Sequence, residues 1–174
     1  MNADVLLVSC ILLCVMIALW ILNRKKRNAS GIKEFDEMQT VIRGRGYRIG
    51  FLTAVILLAV MILLSELDAL TFVTVGFAFY AVLIISVTTF GVYCVAHDAF
   101  LGIREKPKHT MILFLIIAAV DGAVSVINII SGKMTENGRL NFSGGSSVLM
   151  FAAFLILLIT LIVKTAKGRK EAAE

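Results

Sequence analysis

The chain has 174 residues, of which 59% are apolar and one is proline, and its formal net charge is +5. A soluble domain of this length cannot bury so much apolar surface, so the composition indicates an integral membrane protein. A helix of about 20 residues crosses a hydrocarbon core about 30 Å thick. Five apolar runs approach that length: 5–22, 49–64, 70–96, 111–130 and 148–163. We therefore predict an all-α bundle of five transmembrane helices that forms a single polytopic membrane domain over residues 1–174.

The basic residues predict how this bundle is oriented. All of them except Lys133 and Arg139 fall after the first run, after the third run, or in the tail that follows the fifth. Because basic residues in short loops are retained on the cytoplasmic side, we expect the N-terminus outside and the C-terminus inside. The positive charge is then a topology signal, and no basic surface interleaved with aromatic residues indicates nucleic-acid binding.

Residues 30–48, between the first and second runs, predict an amphipathic helix at the cytoplasmic surface of the membrane. The apolar residues of this segment and of the span that follows share one helical stripe: Phe35, Met38, Ile42 and Ile49. Ser30 is positioned to cap the start of such a helix. The segment would lead directly into the second span.

The polar and aromatic residues of the same segment are candidates for a surface that contacts a protein partner or anionic lipid headgroups. They are Asp36, Glu37, Gln39, Arg43, Arg45, Tyr47 and Arg48. The arginines would reach lipid phosphates, and the tyrosine would lie in the aromatic belt. The glycines of this segment do not form a nucleotide loop, because their spacing is G-x-G-x-x-x-G and no strand precedes them.

This passage resembles a pattern that precedes a membrane span in uncharacterised small multipass membrane proteins of Gram-positive, clostridia-like bacteria. The pattern is Asp-Glu-Arg/Met-Gln, a short spacer, and Arg-Gly-x-Ala/Gly-Tyr-Lys/Arg. The matching residues here are Asp36, Glu37, Met38, Gln39, Arg43, Gly44, Gly46, Tyr47 and Arg48. The resemblance covers about 15 residues and the general layout of the spans, and it implies a bacterial cytoplasmic membrane without implying a reaction.

Small residues at four-residue spacing indicate close contacts between helices. Gly46, Gly50 and Ala54 form one such seam at the start of the second span, and Ala118 with Gly122 forms another in the fourth. Either a compact bundle or a homo-oligomer through the second span would use these seams.

Asp121 lies near the middle of run 111–130, where an ionised carboxylate costs about 2.5–3.5 kcal/mol on insertion scales. Ser125 and Asn128 follow at i+4 and i+7, so the three side chains predict one polar stripe. The stripe has two interpretations: a proton or cation site centred on the carboxylate, or hydrogen bonds to neighbouring helices from a protonated aspartic acid. Tyr80 and Ser147 are among the candidate partners from other spans.

Two further features have weaker implications. His97, Asp98 and His109 fall near one membrane face and could bind a metal or titrate near neutral pH, but no further ligand cluster accompanies them. We therefore predict interfacial histidines, with no metal and no cofactor. The connection 131–147 is expected to be a flexible linker, within which Asn137-Gly138 favours a small hairpin.

The sequence thus favours a non-enzymatic accessory or regulatory membrane component that presents residues 30–48 to a membrane or cytoplasmic partner. The alternative is a small proton- or cation-coupled transporter or channel that uses Asp121. An enzyme is not expected, since no serine or cysteine lies in a recognisable nucleophile motif.

Overall fold

The computed structural model describes residues 35–102 and 107–171. Its helices are α1 (Glu37–Glu66), α2 (Val75–Ala96), α3 (Pro107–Ile130) and α4 (Phe142–Glu171), and its strands are β1 (Thr135–Glu136) and β2 (Arg139–Leu140). By length and composition, four helices of the described part can cross a membrane. The all-α class and four of the predicted runs are thus confirmed, whereas run 5–22 lies outside the described residues.

Successive helices run antiparallel and pack in the order α1, α2, α4, α3. Helix α2 is the most buried of the four, with 22% of its apolar stretch buried, against 17% for α3 and for α4 and 6% for α1. The starts of α1 and α3 therefore lie at the same end as the last turns of α2 and α4. We call this the basic end, since it carries Arg43, Arg45, Arg48, Lys108, Lys164 and Lys167. The opposite, hairpin end carries the strands together with Lys133 and Arg139.

Helix α1 begins later than the sequence suggests and runs without interruption into the apolar run. Asp36 is its N-cap, and a reciprocal bond with Gln39 completes a capping box. Asp36 thus takes the place that was expected for Ser30 as the cap of this helix, and Ser30 itself lies outside the described residues. From Glu37 onward the predicted interfacial segment is the first part of one 30-residue helix, and residues 30–34 lie outside the described chain.

Helix α2 begins at Val75, five residues after the predicted start of the third run. The residues before it are extended, and they pair with the hairpin. The Leu140 N–H donates to the Phe72 carbonyl at 2.8 Å, and the Thr74 N–H donates to the Leu140 carbonyl at 2.8 Å. Apolar residues favour strands as well as membrane helices, so hydropathy alone extends the span too far.

The predicted hairpin is confirmed. Thr135 pairs with Leu140 and Glu136 with Arg139, and the two residues between the strands have positive φ angles, 52° at Asn137 and 76° at Gly138. Both angles are required by a type I′ turn, which glycine and asparagine adopt most easily. The connection is therefore hydrogen-bonded to itself and to the start of α2, and the linker interpretation is wrong for this part of it.

Aromatic rings join three elements near the basic end. Phe114 of α3 meets Phe100 of the loop after α2 and Phe154 of α4, both edge-to-face, with centroid distances of 5.7 and 5.5 Å. Such pairs contribute about 0.5–1.5 kcal/mol beyond their buried area. They fix the loop after α2 against the helices that flank it.

Candidate functional site

The turn after α2 presents backbone carbonyl groups to α1. Helix α2 ends in a Schellman motif: the Ala99 N–H donates to the Cys94 carbonyl at 2.8 Å, and the Asp98 N–H to that of Val95 at 3.3 Å. Asp98 occupies the left-handed position with φ 57°, where aspartate is one of the few tolerated residues. Because the chain reverses here, the carbonyls of Asp98, Ala99 and Leu101 remain available to other donors.

Gln39 of α1 joins two of these elements through one amide group. Its Oε1 accepts from the backbone N–H of Asp36 at 3.2 Å. Its Nε2 donates to the Asp98 carbonyl at 2.8 Å and, at 3.4 Å, to that of Leu101. The cap of α1 and the turn after α2 are therefore held by the same side chain.

Arg43 lies one turn further along the same face of α1. Its Nη1 donates to the Ala99 carbonyl at 3.2 Å, and its guanidinium carbon lies 4.0 Å from the centroid of the Phe35 ring. A hydrogen bond from a charged group contributes about 1.5–3 kcal/mol, more than one between neutral groups. Arg43 thus attaches α1 to the turn after α2, and the Phe35 ring packs against one face of its guanidinium group.

The same face of α1 continues with glycines that lie directly against α2. A Cβ at Gly46 would be 3.1 Å from Cys94 Sγ, and one at Gly50 would be 3.2 Å from the Ser86 carbonyl oxygen. Tyr47 borders this contact, with its ring stacked on Phe90 at 4.4 Å and 17°. We call Gln39, Arg43, Gly46 and Gly50 the contact face of α1. Ala54, the third member of the predicted seam, is half-buried.

The opposite side of α1 at the basic end is exposed. Met38 is 72% and Val41 57% exposed, and Arg45 and Arg48 are also exposed. Within the described residues, neither arginine forms a hydrogen bond or ion pair. These four residues follow at intervals of three and four, so they lie along one stripe, which we call the outer face of α1. Glu37 is exposed at the start of the helix.

Helix α4 is attached to the same turn from the other side. Lys164 Nζ lies 2.9 Å from Asp98 Oδ2 and donates to the Ala96 carbonyl at 3.0 Å. The turn after α2 therefore binds α1 through its carbonyls and α4 through its carboxylate. This pair could not be found from the sequence, although Asp98 follows a long apolar run, where a left-handed residue is common.

The polar stripe of α3 does not converge on one ligand position. The Ser125 hydroxyl donates to the backbone carbonyl of Asp121 in its own helix at 2.6 Å. Asn128 instead donates across to the Ser147 hydroxyl of α4 at 3.2 Å. The Asp121 carboxylate is half-buried and forms no hydrogen bond or ion pair within the described residues, and the neutral phenol of Tyr80 in α2 is a polar neighbour.

The small residues of α3 lie against α4. Ala118 is buried, and a Cβ on Gly122 would lie 3.2 Å from the Phe151 ring. Asp121 is thus held beside a helix contact, and its carboxylate forms no hydrogen bond or ion pair among the residues described.

The histidines near the basic end have separate surroundings. The His97 ring stacks on Tyr93 with a centroid distance of 4.3 Å, and His109 is exposed at the start of α3. Among residues 35–102 and 107–171, no three His, Cys, Asp or Glu residues are grouped so that they could hold a metal ion.

Comparison with known proteins adds no relative: no protein-family model, no curated protein and no solved structure matches this chain. The candidate site therefore rests on the geometry of the chain itself.

Proposed function

We propose that this protein is a multipass component of the bacterial cytoplasmic membrane with an accessory or regulatory role and no enzymatic activity. In this proposal five helices span the membrane, with the N-terminus outside and the basic end inside. The antiparallel order of the four described helices and the concentration of basic residues at one end support the orientation. The juxtamembrane resemblance supports the bacterial setting.

One observation carries the proposed role: the two sides of α1 at the basic end differ. On the contact face, Gln39 and Arg43 donate hydrogen bonds to the turn after α2, so these two side chains stabilise contacts within the bundle. The outer face presents Arg45 and Arg48 beside two exposed apolar side chains. Exposed cations next to apolar residues fit a partner surface that combines acidic and apolar groups.

Site-specific photocrosslinking in native membranes tests this role. A photoreactive residue at Val41 should form a discrete adduct with another protein, and mass spectrometry of the adduct identifies the partner. The same residue at Ile62, an exposed position near the hairpin end, is the matched control and should form none. Arg45→Glu with Arg48→Glu should abolish the adduct, since the charge that attracts the partner is reversed. Adducts at Val41 that contain only lipid would contradict the proposal.

A second candidate function, a proton- or cation-coupled transporter or channel, is favoured by Asp121 alone. Its carboxylate lies within an apolar helix and lacks a hydrogen-bonding partner in the described part of the chain. Flux of protons or cations into liposomes that contain the protein tests this function. Flux that is lost in Asp121→Asn and kept in Glu66→Gln, a change at the exposed end of α1, would establish transport. The absence of flux in the wild-type protein would exclude this second function.

A further inference from the structure

A cleft of about 480 Å³ opens at the basic end, among the start of α1, the loop after α2, the start of α3 and the end of α4. Its wall is apolar on one part and charged on another. Val95, Phe100 and Leu161 line the apolar part, and Lys164 and Lys167 line the charged part. A ligand that fills this space must present both an apolar and a charged portion.

The charge balance within the cleft favours an anion. Asp98 also lines the cleft, but its carboxylate already binds Lys164 at 2.9 Å. Lys167 lies three residues further along α4, so it faces the same side of the helix. It is exposed, and within the described residues its ammonium group forms no hydrogen bond or ion pair. The amide of Gln39, another lining residue, is occupied by the backbone groups of Asp36 and Asp98. Among the described lining residues, the unbalanced charge is therefore positive.

The position of the cleft along α4 favours a lipid over a soluble anion. The apolar stretch of this helix ends at Val163, and Lys164 begins the basic tail. This transition marks the boundary between hydrocarbon and water, where lysines meet the phosphates of lipid headgroups. An acyl chain leaving that boundary would follow the apolar wall.

We propose that this cleft binds the phosphate group of an anionic phospholipid, with Lys167 as its principal cation and the apolar wall against the lipid's hydrocarbon. The site is separate from the outer face of α1, and it does not depend on the accessory role proposed above. The ion pair between Lys164 and Asp98 connects two walls of the cleft, and the Lys164 ammonium group adds to the positive potential there.

Lipid titration of the purified full-length protein in zwitterionic nanodiscs tests the site, with phosphatidylglycerol as the probe. Native mass spectrometry counts the lipids that remain bound. Lys167→Gln should weaken phosphatidylglycerol binding about fivefold, since one lysine contributes that much near an anionic surface. Lys108→Gln is the matched control, because it removes one exposed lysine at the same end of the bundle without lining the cleft. It should leave the affinity unchanged.

A second variant tests the cavity itself. Thr165→Phe places a ring in the cleft without changing its charge and should weaken binding at least as much as Lys167→Gln. Equal losses in Lys167→Gln and Lys108→Gln would overturn the proposal, because binding would then follow overall charge. Unchanged binding in Thr165→Phe would also overturn it. Glycerol phosphate that binds as tightly as the lipid would overturn the assignment to a phospholipid.

Discussion

The polar side chains on the contact face of α1 and the Asp121 carboxylate differ in their hydrogen bonding. Gln39 and Arg43 each donate to a backbone carbonyl of the turn after α2. Asp121 lies inside an apolar helix, and its carboxylate has no such partner in the described part of the chain. The sequence presents both as candidate functional residues, and only the geometry separates them.

The difference indicates where polar side chains stabilise the fold and where they oppose it. A side chain that donates to a carbonyl of the turn after α2 stabilises the bundle, since a hydrogen bond contributes about 0.5–1.5 kcal/mol net and one from a charged group about 1.5–3 kcal/mol. A carboxylate without a partner in an apolar helix lowers stability instead. We therefore expect substitutions at the two places to change stability in opposite directions.

The largest effect is expected at the glycine part of the contact face. Gly46→Leu should destabilise the protein by about 3 kcal/mol or more, because the added side chain collides with Cys94 and Tyr93. Gly44→Leu is the matched control, since nothing lies within 4 Å of its Cβ position. Thermal unfolding in detergent, followed by circular dichroism, compares the two. Equal midpoints would show that α1 and α2 do not touch at Gly46.

Asp121→Leu should act in the opposite direction and raise stability by about 2 kcal/mol, since it removes a carboxylate that has no hydrogen bond in the described bundle. Asn128→Leu, seven residues further along the same helix, should lower stability by about 0.6 kcal/mol because it breaks the bond to Ser147. Unfolding in a denaturing detergent measures both. A loss of stability in Asp121→Leu would mean that the carboxylate has a stabilising partner.

Arg43→Gln should lower stability by about 2 kcal/mol, because the Ala99 carbonyl loses a charged donor and Phe35 loses its cation. The control is Arg45→Gln, which removes the same charge from the outer face and should change stability by less than about 0.5 kcal/mol. The same unfolding assay applies. If the two variants were equally stable, the contact face would have no special role.

The smallest effect is expected for the bridge between Asp98 and Lys164, whose side chains are 73% and 36% exposed. A double-mutant cycle with Asp98→Asn and Lys164→Gln should give a coupling energy below about 1 kcal/mol, and salt should reduce it further. Asparagine is the appropriate replacement because it also tolerates the left-handed backbone of this position. A coupling above that value at high salt would indicate a buried ion pair.

Much of the fold can be predicted from the sequence, because hydropathy locates membrane helices and Asn137-Gly138 locates a hairpin. The start of α2 cannot be found in this way, since Phe72 and Val73 are apolar whether they lie in a helix or beside Leu140. Small residues at Gly46 and Gly50 predict a close approach, but the spacing does not say which helix approaches.

The candidate site is less predictable for a different physical reason. Gln39 and Arg43 bind backbone carbonyls that lie 56–62 residues further along the chain. Every residue has a carbonyl group, so the acceptors leave no signal in the amino-acid sequence. The donors Gln39 and Arg43 can be recognised in the sequence as polar residues of the juxtamembrane pattern. That they attach α1 to the turn after α2 follows only from the three-dimensional structure.

The arrangement around the last turn of α2 also has an electrostatic consequence. The aligned peptide dipoles of a helix give its C-terminus roughly half a negative charge, which nearby cations stabilise. The last turn of α2 contains no basic residue of its own. Lys164 from α4 donates to the carbonyl of Ala96, the last residue of α2, and Arg43 from α1 donates to the Ala99 carbonyl in the turn that follows, so the two neighbouring helices place positive charge at this C-terminus. The negative end of the α2 dipole is therefore stabilised by cations from two other segments of the chain.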